Sequence, residues 1–148
     1  MTSSRDQKIE LVKQTAMKCL NDPYIWGGNH PLTGMDCSGF VQWCLASVGL
    51  DPKGDQTAQR LYNWFIKNGL LGVGGPGALV FYGKGLSDIT HCSIMLTDSH
   101  IIEAGGGNAK CTSREQAAKY GAMIRIRPLK NRADIQAIIM PNYASGGT

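Results

Sequence analysis

Apolar side chains recur at helical spacing in the first half of the chain and fall into short runs in the second. Ile9, Val12, Ala16, Cys19 and Leu20 follow one another at three- and four-residue steps along one face, which predicts a helix over 4–20. Ser4 is the expected N-cap, with Gln7 three residues on in the capping-box arrangement. Asn21-Asp22-Pro23 stops it. Residues 23–36 hold three glycines and two prolines and predict an irregular loop. A second helix is expected from Cys37 or Ser38 through Phe40, Val41, Cys44 and Leu45 to about Val48, with Gly49 as its stop. A third, over about 56–67, carries Ala58, Leu61, Tyr62, Trp64 and Phe65, and Asn68-Gly69 closes it.

The glycine-rich stretch 72–77 changes the pattern. Ala78 to Tyr82 is a short apolar run bounded by glycines, the mark of a strand. From His91 to Leu96 the chain alternates, with Cys92, Ile94 and Leu96 on one side and His91, Ser93 and Met95 on the other. Thr97-Asp98-Ser99 predicts a tight turn that returns residues 100–104 as the partner strand. Residues 122–127 and 135–140 are two further strands, and 113–120 is a short helix capped by Thr112 or Ser113. The tail 144–148 is expected to be unstructured. Helices first and a mostly antiparallel sheet of about five strands afterwards make an α+β fold. The whole chain, 1–148, is expected to form one domain.

Composition narrows the classes. Hydrophobic residues make up 43% and charged residues 18%, as in an ordinary globular domain. No apolar run approaches the roughly 20 residues that span a bilayer. The polar start, Met1 to Gln7, is unlike a secretory signal, so synthesis in the cytoplasm is expected. The net charge of +4 is scattered along the chain, whereas a nucleic-acid binder concentrates its cations. Five cysteines without a CxxC pair argue against a disulfide scaffold and a structural zinc site. Cys19, Cys44 and Cys92 sit among apolar neighbours and are expected to be core. No metal or organic cofactor is expected.

Cys37 differs from the other cysteines. It stands where a loop meets a predicted helix, so its sulfur faces the first-turn amides and the positive end of the helix dipole, which favour a thiolate. The same amides are suited to an oxyanion. A structural thiol is the competing reading, and position alone leaves the two level. A thiolate nucleophile needs a base, and the chain has three histidines, His30, His91 and His100. His30 lies in the loop before Cys37, where a bystander role is expected. In the predicted hairpin His100 adjoins the turn and lies on the order of 15–20 Å from His91, too far to orient it. Glu103 on the return strand falls on the same face as His91, as its diagonal neighbour.

Two blocks of sequence carry a resemblance. Pro23-Tyr24-Ile25-Trp26-Gly27-Gly28 followed by Asp36-Cys37-Ser38-Gly39-Phe40-Val41 resembles the signature of the NlpC-type cell-wall cysteine peptidases. Leu79-Val80-Phe81-Tyr82 and His91-Cys92-Ser93-Ile94-Met95-Leu96 are similar to that family's next two motifs, and the order agrees over about residues 8–140. The resemblance implies a papain-like domain that hydrolyses amide bonds in peptidoglycan stem peptides, commonly between D-glutamate and the following diamino acid. Cys37 is then the nucleophile, His91 the base and Glu103 the third polar residue. Tyr24, Asp36 and Ser38 are the implied substrate or oxyanion contacts. Two positions depart from the pattern: Glu103 stands where the family usually has His, Asn or Gln, and Ala78 where it normally has Asp. An N-acetylmuramoyl-alanine amidase with the same residues and a catalytically silent wall-binding module are the alternatives. Delivery to the wall by a phage or a secretion machine is expected, with any immunity partner unknown.

Overall fold

The computed structural model describes residues 3–144, so nearly all of the tail expected to be unstructured, 145–148, lies outside the described residues. Helix α1 is Ser4–Lys18. Its cap is Ser3, one residue before the expected Ser4: Ser3 is extended, and its Oγ accepts from the Asp6 amide at 3.1 Å. Asp6 then lies in the first turn, where its charge suits the helix dipole. The loop expected over 23–36 holds a two-stranded antiparallel ribbon, β1 (Asn29–His30) with β2 (Gly34–Met35).

Helix α2, Cys37–Ala46, begins at the expected junction. Eight of its ten residues are buried, as in a helix enclosed by its neighbours on most sides. Phe40, Val41 and Leu45 join Phe81, Ile94 and Ile102 in one core, each such side chain contributing about 1.5–3 kcal/mol on burial. Helix α3, Ala58–Phe65, is capped by Thr57, whose side chain accepts from the Arg60 amide at 3.2 Å.

The remaining elements are β3 (Gly69–Leu71), β4 (Leu79–Gly85), β5 (Asp88–Met95), β6 (His100–Gly105), α4 (Arg114–Tyr120), β7 (Met123–Pro128) and β8 (Ile135–Pro141). Ser113, one of the two expected caps of α4, accepts from the Gln116 amide. The large sheet has six strands in the order β3-β8-β4-β5-β6-β7, every pairing antiparallel. The count exceeds the expected five because Gly69, read as the end of a helix, opens β3. That strand has three residues and pairs with β8 alone. Helix α2 packs on β5 and β6 at the middle of the sheet. No helix among the described residues is long and apolar enough to cross a membrane.

Candidate active site

Asp36 fixes where α2 begins. Its Oδ1 accepts from the Gly39 amide at 2.8 Å and from Ser38 Oγ at 3.2 Å, and its Oδ2 accepts from the Gly27 amide at 3.1 Å. One carboxylate thus joins the helix start to the loop that carries Tyr24 and Trp26. Burial pushes its pKa up, against the lowering effect of these hydrogen bonds. Gly39 serves that same junction: a methyl there would overlap the Gly28 carbonyl oxygen. The lack of a side chain at Gly39 is therefore used by the chain's own loop.

Cys37 is the first residue of α2 and is buried. The hairpin of β5 and β6 pairs Ile94 with Ile102 and Met95 with Ile101. Continued one residue, this register sets Glu103 beside Ser93 and makes His91 its diagonal neighbour. His91 Nε2 lies 2.7 Å from Glu103 Oε1, which leaves Nδ1 for the sulfur. Between Tyr82–His91 and Gly83–Ile89 the pairing of β4 and β5 slips, so Thr90 is unpaired beside His91. A bulge of this kind re-aims side chains, and Cys37 interacts with both His91 and Cys92 although the two alternate along β5.

The charges follow from these contacts. A hydrogen bond with Cys92 lowers the Cys37 pKa; burial opposes it, and His91 adds to the lowering, so the thiol is held well below its ordinary value. The Cys92 thiol moves the other way, raised by the same contact and by burial. Cys92 is a core residue, as composition suggests, and it also lies against Cys37. Burial disfavours the His91 imidazolium, but hydrogen bonds to Cys37 and Glu103 outweigh it and push the pKa up to about 9. Burial likewise opposes the Glu103 carboxylate, yet His91 and Arg125 hold its pKa down to about 2. These directions favour a thiolate, an imidazolium and a carboxylate in a row.

A cleft of about 410 Å³ opens in front of Cys37, lined by Tyr24, Trp26, Ser38, Gln56 and Thr57 among others. Tyr24 is buried against the Cys37 side of the cleft, and burial pushes its phenol pKa up. Gly107 leaves room for its ring, since a methyl there would overlap Cδ1 and Cε1. Trp26 stands on the rim, 54% exposed. The opposite wall is tied down by buried Gln42. Its Nε2 donates to Asp51 Oδ1 at 2.9 Å and to the Gly54 carbonyl at 2.8 Å, and its Oε1 accepts from the Gln56 amide at 2.9 Å. Gln42 and Arg125 were not among the candidates read from the sequence. Their positions gave no signal, because what makes them matter is contact between distant segments.

The structure thus brings Cys37, His91 and Glu103 together and sets Tyr24, Asp36 and Ser38 around the same cleft. His30 and His100 lie elsewhere: His30 packs edge-on against Trp43 at 5.0 Å, and His100 Nδ1 meets Ser99 Oγ at 2.9 Å.

A family model described as "NlpC/P60 family" matches residues 21–127, more than half of the chain. The chain belongs to the NlpC/P60 family. That family is one of cysteine peptidases and peptidoglycan hydrolases. Among relatives, the bifunctional muramidase/DL-endopeptidase CwlT of Bacillus subtilis is 51% identical over 97 residues, covering 64% of this chain and 29% of that protein. The probable endopeptidase p60 of Listeria grayi is 36% identical over 103 residues, covering 70% of this chain and 19% of that protein. The chain therefore spans less than a third of these relatives' length. Among solved structures, the P60 domain of an antigen from M. avium subspecies paratuberculosis superimposes with a TM-score of 0.70 at 21% identity, covering 94% of this chain and 97% of that one. The peptidoglycan hydrolase RipB from Mycobacterium tuberculosis gives 0.68 at 23% identity, over 92% of this chain and 65% of that one. These two likenesses establish the NlpC/P60 fold.

Proposed function

We propose that this chain hydrolyses peptide bonds of peptidoglycan stem peptides, at the bond between D-glutamate and the following diamino acid, with Cys37 as nucleophile. The observation that carries the reading is the row Cys37–His91–Glu103, with Glu103 Oε1 2.7 Å from His91 Nε2 and the thiol pulled down at a helix N-terminus. The 51% identity to a protein named as a DL-endopeptidase supports the choice of bond.

The chemistry follows from the geometry. The Cys37 thiolate adds to the scissile carbonyl carbon, and the charge moves to the carbonyl oxygen. In the first turn of α2 the Gly39 and Phe40 amides donate to Asp36. The Cys37 and Ser38 amides have no acceptor among the described residues and are suited to the oxyanion. Tyr24 closes the cleft beside the sulfur. As the tetrahedral intermediate collapses, His91 gives its proton to the leaving amine and becomes neutral. It then takes a proton from water, whose oxygen attacks the thioester and releases the acid product with Cys37 restored. Glu103 holds the ring in one orientation throughout, with Nε2 occupied and Nδ1 turned to the sulfur. The two oxygens of Asp36 are engaged by its own chain, so its contribution is to place the helix start and Ser38.

The test is digestion of purified peptidoglycan by the wild type and by Cys37→Ala, with products read by mass. Fragments ending in D-glutamate, from the wild type alone, are expected. Free stem peptides with intact D-glutamyl bonds would assign the chain to the muramoyl-alanine bond instead. Binding to the wall without any product would make it a silent module.

A further inference from the structure

Glu103 has two oxygens, and among the described residues each has one hydrogen-bond partner. Oε1 takes His91; Oε2 accepts from Arg125 Nε at 3.0 Å. Arg125 is the register partner of Glu103 across β6 and β7, so the backbone ladder itself sets the two side chains face to face. The Glu103 side chain is 3% exposed. An anion buried to this degree is costly without full compensation.

The space for the guanidinium comes from a run of glycines. A methyl at Gly105 would stand 3.0 Å from Arg125 Nη2 and crowd Glu103 Oε2, and one at Gly106 would stand 3.2 Å from Arg125 Nη1. Gly106 also has φ of +84°, a conformation that favours glycine. Together with Gly107, which accommodates Tyr24, the triplet 105–107 shapes both the back of the triad and one side of the cleft.

We propose that Arg125 is a positioning residue of the active site: its guanidinium locks Glu103, ionised and immobile, in the orientation that grips His91, and thereby sets the acid limit of Cys37 reactivity. The proposal rests on Cys37, His91 and Glu103 being the reactive row. Arg125 touches neither sulfur nor substrate and acts through Glu103.

The charged and titratable groups around Glu103 are few. His91 faces it from β5, with Cys92 nearby on the other side of that strand, Tyr82 from β4, Arg125 and Arg127 from β7, and Arg132 from the segment before β8. Arg132 is engaged elsewhere: it pairs with Asp134 through two nitrogens, at 2.9 and 2.6 Å, and stacks over the Tyr82 ring at 4.4 Å. Arg125 is thus, beside His91, the cation that bonds the carboxylate directly. A buried carboxylate that loses an ion-pair partner titrates higher by about one unit or more, and once protonated it no longer holds the imidazolium by charge.

The experiment is the rate of Cys37 alkylation by iodoacetamide as a function of pH, with the modified peptide identified by mass. It needs no substrate, so it stands even if the peptidoglycan assay fails. In Arg125→Met the acid edge of the rate profile is expected to move up by about one pH unit. Arg125→Lys, which keeps the charge but reaches Glu103 through a single contact, is expected to move it about half as far. In a Glu103→Gln background, Arg125→Met is expected to add no shift. A wild-type edge in either single variant, or a full shift in the Glu103→Gln background, overturns the proposal. A residue that only stabilised the fold would lower the unfolding midpoint without moving that edge.

Discussion

Cys37 opens helix α2 and Cys44 lies two turns further along it, about 10 Å away, and both are buried. At Cys44 burial, with Cys19 nearby, pushes the thiol well above its ordinary value. At Cys37 the contact with Cys92, and with His91 behind it, overcomes burial and pulls the thiol well below. Burial is shared by the two ends, so it does not make a nucleophile. The difference lies in what faces the sulfur: the Cys19 thiol at Cys44, and at Cys37 the Cys92 thiol together with an imidazolium backed by a buried carboxylate. The start of the helix also supplies amides for a developing oxyanion, which its middle has already spent on its own hydrogen bonds.

The sharpest way to break this contrast is to remove each sulfur in turn. Cys37→Ala is expected to lower the rate of peptide cleavage by about 10⁴-fold or more with little change in unfolding midpoint. Cys44→Ala is expected to keep cleavage near the wild-type rate and to cost about 1 kcal/mol of stability by denaturant unfolding. Equal losses of activity would remove the distinction.

Glu103→Gln keeps the shape and removes the charge that Cys44 never had near it. Cleavage is expected to fall about 10²- to 10⁴-fold, and alkylation of Cys37 at pH 6 to slow in parallel. Full activity would reduce Glu103 to a core residue.

Gly39→Ala tests the junction that Asp36 ties. The added methyl meets the Gly28 carbonyl, and a stability loss of about 2–3 kcal/mol is expected from unfolding curves. An unchanged midpoint would mean that the loop yields freely.

The smallest effect concerns pH and stability. Glu103 is held at about 2 against an ordinary 4.5, so across that window the folded chain binds fewer protons than the unfolded one. Its stabilising contribution is whole above the unfolded value and is lost as pH falls toward 2. His91 is the mirror case. Raised to about 9 from 6.5, it contributes fully below 6.5 and the contribution is lost as pH rises through 9. Unfolding midpoints of Glu103→Gln are therefore expected to fall less steeply in acid than those of the wild type. Parallel slopes would show that Glu103 is not held as an ion.

The same two ends of α2 show what a sequence reveals. The periodicity of Phe40, Val41, Cys44 and Leu45 placed the helix, and the loop before Cys37 placed its start, because both signals are local. The turn Thr97-Asp98-Ser99 fixes the hairpin register closely enough to set Glu103 diagonal to His91 from sequence. Strand β3 escaped because Gly69, Leu70 and Leu71 carry no alternation, and the two leucines are exposed; only pairing with β8 makes them a strand. Arg125 escaped for a related reason. It stands beside Ile124 and Ile126 on a strand whose extent was legible, but its role depends on facing Glu103 across the β6–β7 ladder. Cys92 was legible as a buried residue, and its contact with Cys37 was not, since it forms between segments far apart in sequence.

The most direct measurement is the pH dependence of alkylation of the wild-type chain, with every cysteine followed separately by peptide mass. Cys37 alone is expected to react at pH 6, with Cys44 silent until the chain unfolds. A Cys37 rate that rises only above about pH 8.5, the ordinary thiol value, would contradict it.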